Sequence, residues 1–261
     1  TSLFVAMLLL LSSCGSVPLT GRKQVLLVSD QEVLSSSLTQ YSDYMKSAKK
    51  SSSKDGAAMV TRVGKKIAAA TEQYLRNNGL ESEIKNFAWE FNLVNDPQVN
   101  AFCMPGGKIV VYEGLMQLVS SDDELAVVVG HEVAHAVAKH SNERMSQQLM
   151  AQYGAQILGQ ALSNKSAAVQ KIGASVYGLG AQYGVMLPFS RKHESEADYM
   201  GLVFMAMAGY NPAVAVNFWQ KMSAGKSGST PEFMSTHPSD ATRINEIKQH
   251  LPEIEKYRVK K

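Results

Sequence analysis

Apolar residues recur at helical spacing in both halves of the chain and alternate with polar residues in a short stretch between them. The first part of this pattern predicts a helix that begins at Asp30, as its N-cap, and ends near Lys46. A second helix is expected from about residue 56 to residue 76. Residues 24–29 could form a short strand before these helices, and the Ser/Lys-rich residues 47–55 a solvated turn between them.

Alternation with period two begins at Phe87 and predicts a half-buried strand over residues 87–94. Residues 99–103 and 108–112 are expected to form a hairpin around a Pro-Gly-Gly turn. After Glu113 the pattern is helical. Strands that precede helices favour an α+β fold, mostly helical with a small antiparallel-containing sheet, over a doubly wound fold.

Residues 145–190 carry few charges, and their apolar residues recur at helical spacing. Lys165 and Lys171 are the charged residues of this segment, which is rich in Gln, Gly, Ala and Met. Its glutamines and glycines exclude a standard transmembrane helix. We expect two core helices in a hairpin; a membrane-dipping segment or a lid over an active site is the alternative.

The charge of the chain argues against a nucleic-acid-binding protein, and its length is sufficient for one sizeable hydrophobic core. The 261 residues carry a formal net charge of +3, with 19% charged residues, and no basic patch is interleaved with aromatic residues. We therefore expect no nucleic-acid partner. Residues 24–261 are expected to form a single domain. Nothing in the pattern predicts an oligomeric state.

The first residues resemble a bacterial lipoprotein signal. Residues 3–11 are apolar but too short to span a bilayer as an ordinary helix, and the Leu-Ser-Ser-Cys-Gly sequence around Cys14 resembles a lipobox. The resemblance implies a signal peptide of residues 1–13, a lipid on Cys14, and a tether of residues 14–23. A plain secretory peptide or a membrane-anchored stem is the alternative, and without the lipid Cys14 could form a disulfide with Cys103.

The motif His-Glu-x-x-His lies in the second half of the chain, within a predicted helix. Residues 121–124 have the pattern of a capping box with an acidic first turn, so the helix is expected to start there, and Gly130 allows a close neighbour. His131 and His135 are four residues apart on one helix face, so both can reach one metal ion. Glu132 is then placed to activate a water molecule rather than to bind the metal. The alternative is two ordinary buried or surface histidines.

A catalytic zinc takes three protein ligands and keeps one open position. The metzincin pattern would supply a glycine and a third histidine, but Ala138 and Ser141 occupy those positions. His140 is one residue short of that pattern and is interpreted as a helix-surface or capping histidine. The third ligand is therefore expected from a glutamate on a later helix, the arrangement of gluzincins.

Glu194 is the best candidate for this glutamate. It shares a helix face with Asp198, which could accept a hydrogen bond from a ligand imidazole and fix its orientation. Glu196 faces away from them and is expected to be solvated. The alternative for Glu194 is a surface salt bridge with Arg191 or Lys192.

Several blocks of the sequence resemble the zinc metallopeptidases that include the CAAX prenyl endopeptidases, the heat-shock protease HtpX and the stress peptidase of the mitochondrial inner membrane. The chain looks most similar to the lipoprotein and periplasmic branch of this family. The blocks are residues 99–102 with 105–107, 124–126 before the motif, 190–198, 208–212, and 236–238 with 243–244. They occur in the order expected for the family.

This resemblance implies a gluzincin-type metalloprotease domain with an active-site helix that carries the motif and with one Zn²⁺ per chain. It implies His131, His135 and Glu194 as metal ligands. It also implies Glu132 as the general base and Asp198 as the partner of a ligand histidine. The membrane-spanning domains of the CAAX proteases and HtpX are not found in this sequence, which disfavours prenylated proteins as substrates.

The substrate is expected to bind in an extended form, paired with a strand of residues 108–112 at a sheet edge, while residues 100–102 flank the same cleft. The residues expected to contact it are Asn100, Ala101, Phe102, Lys108, Ile109, Val110 and Val111. Backbone pairing tolerates many sequences. Unfolded or misassembled envelope proteins are therefore the expected substrates.

His237 is the candidate donor for the oxyanion that forms during peptide hydrolysis. Similar loops in the periplasmic relatives place a histidine near the metal, where it can occupy the open position and keep the enzyme latent; the alternative is a simple lead-in to the last helix. Arg243 is expected to anchor that helix through a salt bridge. His193 and His250 are expected at the surface, and Cys103 as a small buried hydrophobe.

The sequence thus predicts a zinc endopeptidase for protein quality control, attached by its lipid to a bacterial membrane, with the periplasmic face of the outer membrane as the expected location. A chaperone-like lipoprotein that assists outer-membrane protein assembly, with a latent or structural metal site, is the main alternative. Glu132 argues against a structural site, because such a site closes with four ligands and needs no base. A metal-dependent amidase acting on cell-wall peptides would share the chemistry but not the blocks of the resemblance.

Overall fold

The computed structural model describes residues 14–179, 187–224, 233, 237 and 241–259. Its strands are β1 (Cys14–Ser16), β2 (Lys23–Val25), β3 (Glu90–Val94), β4 (Ala101–Met104) and β5 (Lys108–Tyr112). Its helices are α1 (Asp30–Ser47), α2 (Lys54–Asn77), α3 (Glu81–Ile84), α4 (Glu113–Met116), α5 (Asp122–Val137), α6 (His140–Leu162), α7 (Ala167–Leu179), α8 (Leu187–Met207), α9 (Val214–Ala224) and α10 (Ala241–Ile254). Helices predominate over two small sheets, which confirms the predicted α+β, mostly helical class.

Serine caps determine where the first two long helices begin. Ser29 is the N-cap of α1: its hydroxyl accepts a hydrogen bond from the Glu32 N–H, and the Glu32 carboxylate accepts one from the Ser29 N–H. The predicted N-cap, Asp30, is therefore the first residue inside the helix. Ser53 caps α2 by accepting from the Gly56 N–H, so that helix begins two residues before the predicted start.

The larger sheet has the order β3-β5-β4, with β3 parallel and β4 antiparallel to β5. The predicted hairpin of β4 and β5 is confirmed. The prediction that residues 108–112 form a sheet edge is wrong, because β5 is the central strand and all of its residues are buried. β4 is an edge strand instead, and it packs against α5.

Helix α5 lies at the centre of the core, in contact with α2, α8, α9 and β4. It meets α8 at two glycines: a side chain on Gly130 would begin 2.9 Å from the carbonyl oxygen of Gly201. A side chain on Gly201 would begin 2.8 Å from the backbone nitrogen of His131. The close neighbour predicted at Gly130 is thus α8, and the contact brings the carboxylates of α8 next to the histidines of α5.

The predicted tether of residues 14–23 is not extended away from the protein. β1 and β2 form an antiparallel hairpin, and Val17 between them is 2% exposed and part of the hydrophobic core. The strand expected over residues 24–29 is limited to β2. Residues 1–13 and the side chain of Cys14 lie outside the described structure, so the signal peptide and the lipid remain predictions.

The predicted helical hairpin within residues 145–190 exists, but it is not a core element. Helices α6 and α7 contact each other, whereas Tyr153 and Ile157 of α6 are 60% and 68% exposed. Helical spacing predicts that apolar residues share a face, but not that the rest of the protein covers it. Within the described ranges, no helix is both long and apolar enough to cross a membrane. Residues 180–186 lie outside the description.

Candidate metal centre

Four side chains from three parts of the chain converge beside α5. His131 and His135 come from α5, Glu194 from α8, and His237 from the segment before α10. One donor atom from each lies within 4.8 Å of all the others, and within the described ranges this is the one such group of His, Cys, Asp and Glu residues. We call these four residues the metal cluster.

The distances in the metal cluster fit a tetrahedral zinc site. His131 Nε2 lies 3.0 Å from His135 Nε2 and 3.3 Å from Glu194 Oε2. His135 Nε2 lies 3.4 Å from Glu194 Oε1. Ligand atoms about 2.0–2.1 Å from a tetrahedral zinc are separated from one another by about 3.3 Å. Imidazole nitrogens and a carboxylate also have the chemistry that zinc prefers, so these residues could hold the ion.

His131 is oriented from behind by Asp198. Its Nδ1 lies 2.9 Å from Asp198 Oδ1, which leaves Nε2 to face the metal cluster. Arg243 donates to both oxygens of Asp198, at 2.7 and 2.9 Å, and its Nη1 lies 3.1 Å from Glu194 Oε2. The predicted salt bridge of Arg243 therefore exists. Its contact with Glu194 was not predicted, because no local spacing connects α10 with α8.

His135 is oriented by a second histidine. Its Nδ1 lies 2.8 Å from His140 Nδ1, and His140 Nε2 lies 3.0 Å from Glu196 Oε2. The predictions that His140 and His193 lie at the surface and that Glu196 is solvated are wrong, since their exposed fractions are 2%, 2% and 8%. The capping alternative for His140 is also wrong, because Lys139 is the N-cap of α6. The reason is that α6 and the N-terminal hairpin cover the face of α8 that looked free from sequence spacing.

Glu132 is buried beside the metal cluster. Its Oε2 accepts a hydrogen bond from the Cys103 N–H at 3.2 Å, whereas its Oε1 makes no hydrogen bond with the residues described. Cys103 thus contacts the site through its backbone, and its thiol is not in a disulfide. Burial raises the pKa of that thiol well above its usual range. Burial also raises the pKa of Glu132, although the nearby His237 and His131 act to lower it.

His237 contacts His131 and Glu194 within the metal cluster. Its Nδ1 is 3.2 Å from His131 Nε2 and 3.1 Å from both oxygens of Glu194, and its Nε2 is 3.4 Å from Glu132 Oε1. Its ring stacks on Phe233 with a centroid separation of 4.6 Å. Thr236 and Pro238, on which the prediction for His237 depended, lie outside the described residues.

Comparison with known proteins identifies the family to which this site belongs. Residues 61–251, more than half of the chain, match the model of peptidase family M48. The chain belongs to that family. Its members are zinc-dependent metallopeptidases, so the predicted resemblance, the enzyme class and the zinc cofactor are confirmed.

The chain aligns with only part of each individual relative. The chain is 36% identical over 205 residues to the mitochondrial metalloendopeptidase OMA1 of Schizosaccharomyces pombe, which covers 75% of this chain and 53% of that protein. Over 168 residues it is 40% identical to the Arabidopsis thaliana OMA1, covering 64% of the chain and 33% of the relative. It is 33% identical over 174 residues to the beta-barrel assembly-enhancing protease of Yersinia pestis, covering 62% and 36%. The chain spans about half or less of the length of these relatives.

The edge of β4 supplies backbone groups next to this M48 site. Asn100 accepts a hydrogen bond from the Tyr112 N–H at 3.1 Å, so by the alternation of an antiparallel ladder Ala101 and Cys103 direct their backbone groups away from β5. The Cys103 N–H points to Glu132. Of the predicted contact residues, Ala101 and Phe102 lie on β4 and Asn100 directly before it, whereas Lys108, Ile109, Val110 and Val111 are buried within the sheet. That part of the prediction is wrong.

A groove opens beside His135. Its lining includes Val33, Leu34, Phe87, Pro105 and Lys139, none of which the sequence predicted as a site residue. Lys139 is in the left-handed region with φ 57°, and it pairs with Asp30 at 2.6 Å and Glu83 at 2.9 Å. These two ion pairs hold a strained residue in place at the rim of the groove.

The surroundings shift the pKa values of the two motif histidines in opposite directions. Burial lowers the pKa of His131, but hydrogen bonds with Asp198 and Glu194 outweigh it and raise the pKa to about 9. Burial lowers the pKa of His135 well below its usual range. Burial also raises the pKa of Glu194, yet its hydrogen bonds with His131, His135 and His237 dominate and lower it. The cluster therefore contains a carboxylate that stays ionised among imidazoles.

Proposed function

We propose that this chain is a zinc endopeptidase whose metal is held by His131, His135 and Glu194, and that it degrades unfolded or misassembled proteins in the bacterial envelope. The observation that carries the proposal is the convergence of donor atoms from three side chains at 3.0–3.4 Å, with Glu132 buried beside them. Three ligands and an adjacent carboxylate are the composition of a catalytic zinc site rather than a structural one.

Glu132 serves as the general base for hydrolysis. When bound, zinc lowers the pKa of water toward neutrality and polarises the scissile carbonyl. Glu132 takes the water's proton and passes it to the leaving amine. The Cys103 N–H fixes one oxygen of the carboxylate and leaves the other for the proton.

The substrate binds as an extended strand along the edge of β4. The carbonyl oxygens of Ala101 and Cys103 on that edge provide acceptors that do not depend on substrate sequence. Their N–H groups already donate, to Asn100 Oδ1 and to Glu132. The groove beside His135, with Val33, Leu34 and Phe87 in its lining, accepts an apolar side chain. Extended segments with exposed apolar residues occur in unfolded chains, which supports misfolded proteins as the substrate class.

The envelope assignment is supported by the lipobox-like sequence at Cys14 and by the bacterial relatives, whose name associates them with β-barrel assembly. The OMA1 relatives are similar to this chain over the peptidase region, but their name places them in mitochondria. Metabolic labelling with palmitate tests the lipid. Labelling that disappears in Cys14→Ser supports the anchor, and labelling that persists contradicts it.

A chaperone-like protein with a latent metal site is the second candidate. The contact of His237 with Glu194, His131 and Glu132 favours it, because an imidazole there competes with water and substrate. In this proposal His237 must move before a peptide can bind. If His237→Ala leaves both peptidase activity and zinc affinity unchanged, His237 does not gate the site.

The deciding experiment is degradation of casein by the zinc-loaded chain beside its Glu132→Gln variant, with zinc content measured for both. We expect cleavage by the parent and none by the variant at equal zinc content. Cleavage by the variant at the parent's rate would contradict Glu132 as the base. If neither cleaves while zinc is bound, activity that appears in His237→Ala indicates latency, and continued inactivity favours the chaperone.

A further inference from the structure

A second group of buried charged and imidazole side chains lies behind His135. Its members come from the N-terminal hairpin, α6 and α8, and none belongs to the metal cluster. We call it the rear cluster: Arg22, His140, Glu143, His193 and Glu196. Apart from Arg22, each of its members is at most 8% exposed.

Arg22 joins the two carboxylates of the rear cluster. Its Nε donates to Glu196 Oε2 at 2.7 Å, and its Nη2 and Nη1 donate to the two oxygens of Glu143 at 2.7 and 2.9 Å. The Thr20 hydroxyl also contacts Glu196. A planar guanidinium is suited to this fork-like arrangement, because it offers several donors in fixed directions. Without it, two buried carboxylates would lie together unneutralised.

The rear cluster contacts the metal cluster through the imidazole of His140. The Glu196 carboxylate accepts a hydrogen bond from His140 Nε2–H, at 3.0 Å. A neutral His140 then has a lone pair on Nδ1, which accepts from His135 Nδ1–H at 2.8 Å. His135 consequently carries its proton on Nδ1 and presents the lone pair of Nε2 to the metal cluster. This is the tautomer that a metal ligand requires.

We propose that Arg22 is a positioning residue for zinc: by holding the Glu196 carboxylate in place, it fixes through His140 the tautomer and orientation of His135. The inference rests on the proposed role of His135 as a ligand. Arg22 belongs to the N-terminal hairpin that follows Cys14, so the zinc affinity of the site depends on whether that hairpin is docked against α6 and α8.

The test compares zinc affinity among four variants of the full chain, measured by competition with a chromogenic chelator. Arg22→Ala should weaken zinc binding about 10-fold, the lower end of the effect of outer partners of metal ligands. Arg22→Lys keeps the positive charge but cannot donate to both carboxylates in the geometry of a guanidinium, so its zinc affinity should lie between those of the parent and Arg22→Ala. Arg62→Ala is the matched control, since Arg62 forms a bidentate pair with Asp122 at the surface, away from both clusters. His135→Ala marks the loss of a proposed ligand.

Cobalt substitution provides a readout that a general loss of stability would not change. We expect the visible absorption of the Co²⁺ form to shift in Arg22→Ala and to remain parent-like in Arg62→Ala. A folded Arg22→Ala with parent-like zinc affinity and cobalt spectrum would overturn the inference. If Arg22→Ala does not fold, Arg22→Lys is judged by the same two criteria. Unchanged zinc binding in His135→Ala would instead overturn the ligand assignment on which the inference depends.

Discussion

The metal cluster and the rear cluster both contain histidines and glutamates, but these residues are arranged differently. In the metal cluster the nitrogens of His131 and His135 approach each other to 3.0 Å around Glu194. In the rear cluster the rings of His140 and His193 stack at 4.3 Å, and each Nε2 contacts a carboxylate of its own. Convergence of donor atoms, not the count of histidines and glutamates, therefore distinguishes a metal site from a self-sufficient polar network.

An arginine neutralises carboxylates in both clusters, but in different ways. Arg243 contacts Asp198 and Glu194 from behind the converging nitrogens. Arg22 lies between Glu143 and Glu196 and satisfies both. The rear cluster thus contains its own cation, while the metal cluster directs its donor atoms toward a common point.

Removing one carboxylate from each cluster gives the largest expected contrast. Glu194→Gln should lower zinc affinity by more than about 100-fold, because it removes a proposed ligand, whereas Glu143→Gln should lower it by no more than about 10-fold. Zinc content after dialysis and chelator competition measure both effects. Equal losses in the two variants would mean that the clusters are not functionally distinct.

Removing Arg243, which lies beside the metal cluster, should destabilise the fold. Arg243→Ala leaves Asp198 buried without its guanidinium partner, a change that costs about 3–5 kcal/mol in comparable buried pairs. Arg62→Ala, at an exposed pair, should cost at most about 1 kcal/mol. Urea denaturation of both variants measures the difference. A loss below about 1 kcal/mol for Arg243→Ala would contradict a structural role for the arginine.

The smallest expected effect concerns acid stability of the rear cluster. Burial raises the pKa of Glu143, but hydrogen bonds with His193 and Arg22 outweigh it and lower the pKa to about 2. A depressed pKa contributes stability above the usual range of a glutamate, and the contribution is lost as pH falls from about 4.5 toward 2. The parent should therefore exceed Glu143→Gln in stability at pH 6 by about 1–3 kcal/mol, and by less at pH 3. A difference that does not shrink would contradict this assignment.

The metal cluster was largely predictable because its signals are local. His131 and His135 share a helix face by spacing alone, and so do Glu194 and Asp198. The structure brings these four residues together as the sequence suggests. Arg243 was predicted only as an anchor, because its contact with Glu194 depends on how α10 packs on α8.

The rear cluster was missed because its contacts are distant in sequence. Arg22 and Glu143 are separated by 121 positions, and Arg22 and Glu196 by 174. Helical spacing assigns His193 and Glu196 to faces of α8 but does not reveal which element covers each face. No local signal marks Arg22, since a basic residue near a turn is usually solvated.

The position of β5 at the centre of its sheet did have a signal. Ile109, Val110 and Val111 form an uninterrupted β-branched run, which is typical of strands covered on both faces rather than of edges. The order of strands in a sheet nevertheless depends on tertiary pairing, so the edge position of β4 could be seen only in the structure.

The contact of Gly130 with Gly201 has a consequence for how closely α5 and α8 can approach each other. Where the two helices cross, a Cβ on either glycine would meet the backbone of the other helix, so their separation is limited by main-chain atoms rather than by the fit of side chains. Exchanging apolar residues elsewhere in the core can alter how firmly the helices are pressed together, but cannot bring them closer. The minimum separation of these two helices is thus a property of the backbone at one crossing point.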